Sequence, residues 1–235
     1  MRRRIQQACE RAGRPTSSVT LVAVTKGVTL KLIREAAALG LTDLGENLVQ
    51  EAQQKQHALG SGLRAVGPEP PTLSPQPLRW HLIGHLQRNK AKQAVRLFDV
   101  VHSVDSLALL DELRKAVALS TRPPLPVFLQ VNVSGEATKF GCAPEAVSTL
   151  ARAASGDPAV QLAGLMTIAP LGGDPEQARP YFRRLCELRD DVAGALACEP
   201  STLRLSMGMS QDFDVAIEEG ADLVRVGTAI FGAER

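Results

Sequence analysis

The 235 residues are 44% hydrophobic and 22% charged, ordinary globular values that exclude both wholesale disorder and a run of membrane spans. A net charge of +2 and an aromatic content of 3% supply neither the field nor the stacking platforms that nucleic-acid binding calls for. Met1-Arg-Arg-Arg4 has the charge of a signal n-region, but Ile5-Gln-Gln-Ala-Cys-Glu-Arg11 is no apolar core, so the chain reads as cytoplasmic with no membrane partner.

Hydrophobic periodicity predicts a helix over 3–12, then a strand at 20–25 and a helix at 30–39. A short strand at 43–44 leads to a helix at 48–59, a strand at 80–83 to a helix at 88–97, and a strand at 100–103 to a helix at 107–119. The second half continues with strands at 127–133, 162–166, 203–205 and 223–226, separated by helices at 144–154, 175–196 and 213–219. Eight strands alternating with helices need parallel pairing through right-handed crossovers. Eight such units in a chain of this length fit a closed (β/α)8 TIM barrel with an extra N-terminal helix, as one domain over 1–235. An open doubly wound sheet is the alternative, and its usual glycine-rich nucleotide fingerprints are missing. Residues 61–79 break the rhythm with five prolines and read as a loop insertion within the barrel, not a domain boundary. Cys9, Cys142, Cys186 and Cys198 lie far apart with no metal-type spacing, which makes reduced structural thiols the expectation.

Lys26 ends the apolar run Thr20-Leu-Val-Ala-Val-Thr25, where a strand should finish without a charge. A lysine whose methylenes cover the strand end is the bland alternative. In a barrel of this kind reactive groups project from the C-terminal ends of strands, and phosphate commonly sits on the loops after strands seven and eight. Those loops here are Ser206-Met-Gly-Met-Ser210 and Gly227-Thr228, small hydroxyl residues and glycines that offer N–H and O–H groups. A phosphorylated aldehyde would suit a cup of that kind facing a lysine amine. The amine attacks a carbonyl only as the free base, so Lys26 calls for desolvation or a neighbouring cation, and Arg225 in strand eight is the candidate. Arg225 could equally be a barrel-core arginine paired with Asp43 or Glu46.

Further polar groups fall at the same barrel end: Glu46 and Asn47 after strand two, His81 in strand three, Asn132 and Ser134 after strand five. Each by itself is more often a satisfied hydrogen bonder than a ligand contact. His81 and His85 are four apart, but Gly84 and the missing glutamate of H-E-x-x-H argue against a helical zinc pair.

Five segments occur in order: Val22-Ala-Val-Thr-Lys26, Leu44-Gly-Glu-Asn-Leu-Val-Gln-Glu51, Trp80-His-Leu-Ile-Gly-His-Leu-Gln-Arg-Asn-Lys90, Leu205-Ser-Met-Gly-Met-Ser210 and Arg225-Val-Gly-Thr-Ala-Ile-Phe-Gly232. Together they resemble the pyridoxal phosphate homeostasis protein family, relatives of the N-terminal barrel of alanine racemase, over nearly the whole chain. The resemblance implies a fold-type III barrel holding pyridoxal 5'-phosphate (PLP) as a Schiff base on Lys26. It implies that Ser210, Gly227 and Thr228 hold the phosphate, with Ser206 and Met207 lining the same loop. By the same resemblance Asn47 and His81 lie near the cofactor ring, and Arg225 faces the pyridine nitrogen. An arginine there donates to the nitrogen without readily protonating it, which weakens the electron sink on which most aminotransferases rely.

The resemblance therefore implies a PLP buffer or carrier, partnered by apo PLP-dependent enzymes, and not an enzyme with its own substrate. An amino acid racemase or decarboxylase is the alternative. A racemase needs a second acid/base opposite the lysine, usually a tyrosine from a further domain, whereas here Arg235 follows directly on the last barrel segment and the single tyrosine, Tyr181, falls in the helix after strand six. Without that domain nothing forces a dimer, and a monomer is expected. A regulator whose ligand state controls binding to another protein is a third possibility. Lys139, in Gly135-Glu-Ala-Thr-Lys-Phe-Gly141, is a candidate second acceptor during cofactor transfer, with a solvated loop lysine as the alternative. The chain departs from the family in the length of its proline-rich loop and in Gly27, where a polar residue is common.

Overall fold

The computed structural model describes residues 1–62, 77–170 and 172–232. Most of the expected insertion at 61–79 lies outside the described residues. Eight parallel strands close into a barrel in the order of the chain: β1 (Thr20–Val24), β2 (Asp43–Glu46), β3 (Arg79–Leu82), β4 (Val100–Val104), β5 (Leu125–Gln130), β6 (Val160–Met166), β7 (Arg204–Ser206) and β8 (Leu223–Val226). Closure is made by β1 against β8, with Thr20 opposite Leu223 and Ala23 opposite Val226. The expected (β/α)8 architecture is the one found.

The helices are α1 (Arg2–Arg11), α2 (Leu30–Ala38), α3 (Val49–Gly62), α4 (Ala91–Leu97), α5 (Leu107–Ala118), α6 (Val147–Ser155), α7 (Arg179–Leu196), α8 (Phe213–Glu218) and α9 (Thr228–Phe231). The extra helix α1 buries Ile5, Ala8 and Cys9 and packs on α8, where Arg4 pairs with Asp214 and Arg11 with Glu218. Short 3-10 turns precede α4, α6 and α7, and Pro144 and Pro175 open two of them, which suits a residue that lacks an N–H. The fifth strand ends earlier than 133. Asn132 Oδ1 accepts from Ser134 Oγ and from the Gly135 N–H, a local turn that competes with the ladder.

Alternation along the strands divides the core in two. Leu44, Trp80, Leu82, Leu205, Val224 and Val226 belong to the large cluster shared with the helices. Val22, Val100, Phe128, Met166 and Leu223 form a separate cluster inside the barrel. Barrel interiors are usually filled by branched apolar side chains. This interior also takes in His81, His102, Ser206 and Arg225, all almost fully buried. Polar groups so placed must find partners, and they find each other.

Candidate functional site

A cavity of about 780 Å³ opens at the C-terminal ends of β1, β7 and β8 and is lined by Lys26, Asn47, Ser210, Arg225, Gly227 and Thr228 among others. Six of the nine residues expected to bind a cofactor therefore share one wall. The outer part is apolar, with Val28, Leu32, Pro170, Pro175, Ala178 and Phe231.

Lys26 sits in a turn two residues beyond the end of β1. The turn is clamped from below by α3. Lys55 Nζ donates to the Thr25 carbonyl, to Glu46 Oε1 at 2.7 Å and to Glu51 Oε1 at 2.6 Å. Glu51 Oε1 also accepts the Gly27 N–H at 2.8 Å, and Thr25 Oγ1 donates to Glu46. The two residues flanking Lys26 are thus both tied to one buried ion cluster. Burial pushes the Glu46 carboxyl above its ordinary range, against the pull of the Lys55 and Thr25 hydrogen bonds. Burial acts on Glu51 too, but there the Lys55 ammonium and the Gly27 N–H win and hold its carboxyl low. Lys55 escaped the sequence reading. Its one signal was the i,i+4 spacing from Glu51, which marks a shared helix face but not what lies beneath it.

Next to β1 around the barrel, the loops after β7 and β8 are stitched together. The Gly227 and Ala229 N–H groups converge on Ser210 Oγ at 3.2 and 3.4 Å. A side chain at 227 would meet Val24 at 3.3 Å, so glycine lets the strand-eight loop approach β1. The wall offers neutral donors without a cluster of lysines, which is what a phosphate held by backbone groups needs. A second close approach brings Asn47 to the cavity: a Cβ on Gly84 would lie 2.4 Å from the Asn47 carbonyl oxygen.

Arg225 is not paired with Asp43 or Glu46. Its Nη1 donates to Ser206 Oγ at 2.7 Å and its Nη2 to the Thr167 carbonyl at 2.8 Å. Burial lowers its pKa to about 10, so it stays a cation and a pure donor at neutral pH.

His81, Ser206 and Met207 are not among the residues that line the cavity. His81 faces the barrel interior, where it bonds His102 and Asp43, each at 2.9 Å. Ser206 lies behind Arg225, against His102. Met207 packs outward into the helical layer, because alternation after Ser206 turns it away from the interior. Lys139 is held by Glu136 at 3.1 Å in the loop after β5, and Tyr181 packs against the core from α7; neither lines the cavity. Among the described residues no group of three His, Cys, Asp or Glu side chains is disposed to hold a metal ion. No helix among them is long and apolar enough to cross a membrane.

The family model described as alanine racemase, N-terminal domain, matches residues 1–235. The pyridoxal phosphate homeostasis protein of Aquifex aeolicus is 42% identical over 99% of this chain and 94% of its own length. That of Pseudomonas aeruginosa is 43% identical over 98% and 91%. PipY of Synechococcus elongatus, solved with PLP bound, superposes with a TM-score of 0.78 at 35% identity over 98% of this chain and 99% of its own. The alanine racemase of Corynebacterium glutamicum shares the fold, with a TM-score of 0.63 at 15% identity, and this chain spans 61% of it. With a closed barrel, a lysine beyond its first strand and full-length likeness at this level, the chain belongs to the alanine racemase N-terminal domain family and, within it, to the pyridoxal phosphate homeostasis proteins.

Proposed function

We propose that this protein binds PLP in the cavity at the C-terminal mouth of the barrel and serves in PLP homeostasis, holding the cofactor and delivering it to apo PLP-dependent enzymes. The observation that carries the reading is the convergence of Lys26, Arg225 and the Ser210–Gly227–Thr228 wall on one cavity. Lys26 would hold the aldehyde carbon as a Schiff base, its nitrogen replacing the carbonyl oxygen with loss of water. Ser210, Thr228 and the backbone at Gly227 would hold the phosphate, and Asn47 would lie beside the ring. Bound PLP supplies an electrophilic carbon and an electron sink. Arg225 limits that sink, since a guanidinium donates a hydrogen bond to the ring nitrogen and keeps its own proton.

That property supports a carrier over an enzyme with a dedicated substrate. A racemase also needs an acid/base opposite the lysine, and Tyr181 does not line the cavity. We read the protein as a cytoplasmic monomer built as one barrel domain, checked by cell fractionation and light scattering. Borohydride reduction of PLP-loaded protein followed by peptide mapping tests the site: label is expected on Lys26 and lost in Lys26→Ala. Protein that takes up no PLP and traps none on any lysine would overturn the reading. Turnover of amino acids at enzymic rates would overturn the carrier assignment while leaving the site intact.

A further inference from the structure

Five polar side chains from β2, β3, β4, β7 and β8 form an unbroken hydrogen-bond chain through the barrel interior. It runs from Arg225 Nη1 to Ser206 Oγ at 2.7 Å and from Ser206 Oγ to His102 Nδ1 at 2.8 Å. His102 Nε2 meets His81 Nδ1 at 2.9 Å, and His81 Nε2 meets Asp43 Oδ1 at 2.9 Å. Asp43 is the first residue of β2, so the chain starts at the cavity and ends at the opposite mouth of the barrel.

The two ends decide its direction. A guanidinium can only donate, and an ionised carboxylate can only accept. A hydroxyl and a neutral imidazole each offer one donor and at least one acceptor. With both imidazoles neutral, a single arrangement makes all four bonds: Arg225 donates to Ser206, Ser206 to His102, His102 to His81, and His81 to Asp43. Both imidazoles then carry their proton on Nε2. Moving the His102 proton to Nδ1 would aim two donors at Ser206 Oγ and strip the Ser206 hydroxyl of its acceptor.

Surrounding groups favour that arrangement. Burial first, and then the nearby Arg225 and Arg204 guanidinium charges, hold His102 well below its ordinary range, so it is neutral. Its ring stacks on Phe128 with centroids 4.6 Å apart, which fixes the ring plane. Burial opposes ionisation of Asp43, but His81, Thr42 and Arg79 hold its carboxyl below the usual value.

We propose that Asp43 is a remote positioning residue for Arg225, setting the direction of the Ser206 hydroxyl through His81 and His102. Ser206 is thereby fixed as the acceptor of one Arg225 N–H and the Thr167 carbonyl as the acceptor of another, leaving the remaining N–H groups of a rigid cation for the cavity. The carboxylate whose charge acts on Arg225 directly is Asp212, and the hydrogen-bond chain adds a link to Asp43 through three intervening side chains. The consequence for bound cofactor rests on the preceding proposal that Arg225 faces the ring nitrogen of PLP.

The direction of the chain is readable without cofactor. In PLP-free protein labelled with 15N-histidine, long-range nitrogen–proton NMR should show His81 and His102 each protonated on Nε2, with Nδ1 the acceptor. In Asp43→Asn, whose amide either donates or accepts, the His102 Nδ1 signal should shift from the acceptor position toward the average of the two tautomers. A His102 proton on Nδ1 in the parent protein, or an unmoved signal in Asp43→Asn, overturns the proposal. In PLP-loaded protein, Asp43→Asn and Ser206→Ala should each shift the cofactor absorbance band in the same direction, and the double variant should shift it no further than Ser206→Ala alone. Additive shifts, or none, overturn the link to Arg225. Failure of the parent protein to take up PLP sinks the cofactor reading instead and leaves the histidine result standing.

Discussion

Lys55→Met tests whether the cluster beneath Lys26 is a buried ion pair or an incidental contact. Glu46 is fully buried, and its Oε2 has no hydrogen-bond partner among the described residues. Its charge is offset through Oε1 alone, by Lys55 and Thr25. Removing one partner of such a pair leaves an uncompensated buried charge and costs about 3–5 kcal/mol. The sign of the pH dependence follows from the raised Glu46 value. The folded state holds that proton more tightly than the unfolded chain, so stability declines as pH rises above the ordinary glutamate range, by at most about 1.4 kcal/mol per pH unit, and levels off above the folded value. Without Lys55 the folded value moves higher still and the decline extends further. The deficit of the variant should therefore be smaller at about pH 5 than at about pH 8. Urea unfolding followed through Trp80, the single and buried tryptophan, measures it. Lys55→Met/Glu46→Leu should recover most of the loss, because a well-packed apolar pair needs no counter-charge. A deficit below about 1 kcal/mol that stays flat with pH, the behaviour of an exposed pair, refutes the reasoning.

His102 makes an opposite prediction. Its depressed value means that its contribution is complete above the ordinary histidine range of about 6.5 and is lost as pH falls below it, because the unfolded chain then takes up a proton that the barrel refuses. His102→Gln should flatten that acid limb in a series of urea titrations; an unchanged limb would show that another group sets it. Gly84→Ala would place a Cβ 2.4 Å from the Asn47 carbonyl oxygen and 2.7 Å from its Cα, two backbone atoms with no room to yield. A loss of about 1–3 kcal/mol or more is expected by thermal or urea unfolding, together with weaker PLP uptake, and an unchanged melting temperature would contradict the close approach. Ser106→Ala removes the side-chain cap on the Leu109 N–H at the start of α5, a residue that does not line the cavity. It should cost about 1 kcal/mol and leave PLP uptake alone, as read by parallel unfolding and absorbance titrations.

Legibility in the sequence was uneven for physical reasons. The strand and helix order was readable because each element carries its own period, and Lys26 stood out because it follows an apolar run. The loops at 206–210 and 227–228 were readable because glycine and small hydroxyl residues have local turn chemistry. His81 and Ser206 were placed toward the cavity by resemblance, yet both turn into the barrel interior, where they answer to His102, a residue without any local signal. Lys55 was equally silent, since an i,i+4 pair with Glu51 reads like any solvated helix face.

The sequence by itself determined which residues alternate: Leu44, Trp80, Leu82, Val224 and Val226 on one face of their strands, Asp43, His81 and Arg225 on the other. In an open sheet with one wet face, that pattern would leave the polar set in water as unrelated side chains. Only closure of β1 onto β8 decided otherwise. It buries both faces of every strand, and buried polar groups must be satisfied by whichever neighbours the barrel brings opposite them. Contacts such as His102 with Ser206, 104 residues apart, are set by strand register around a closed ring, which no local window of the chain contains.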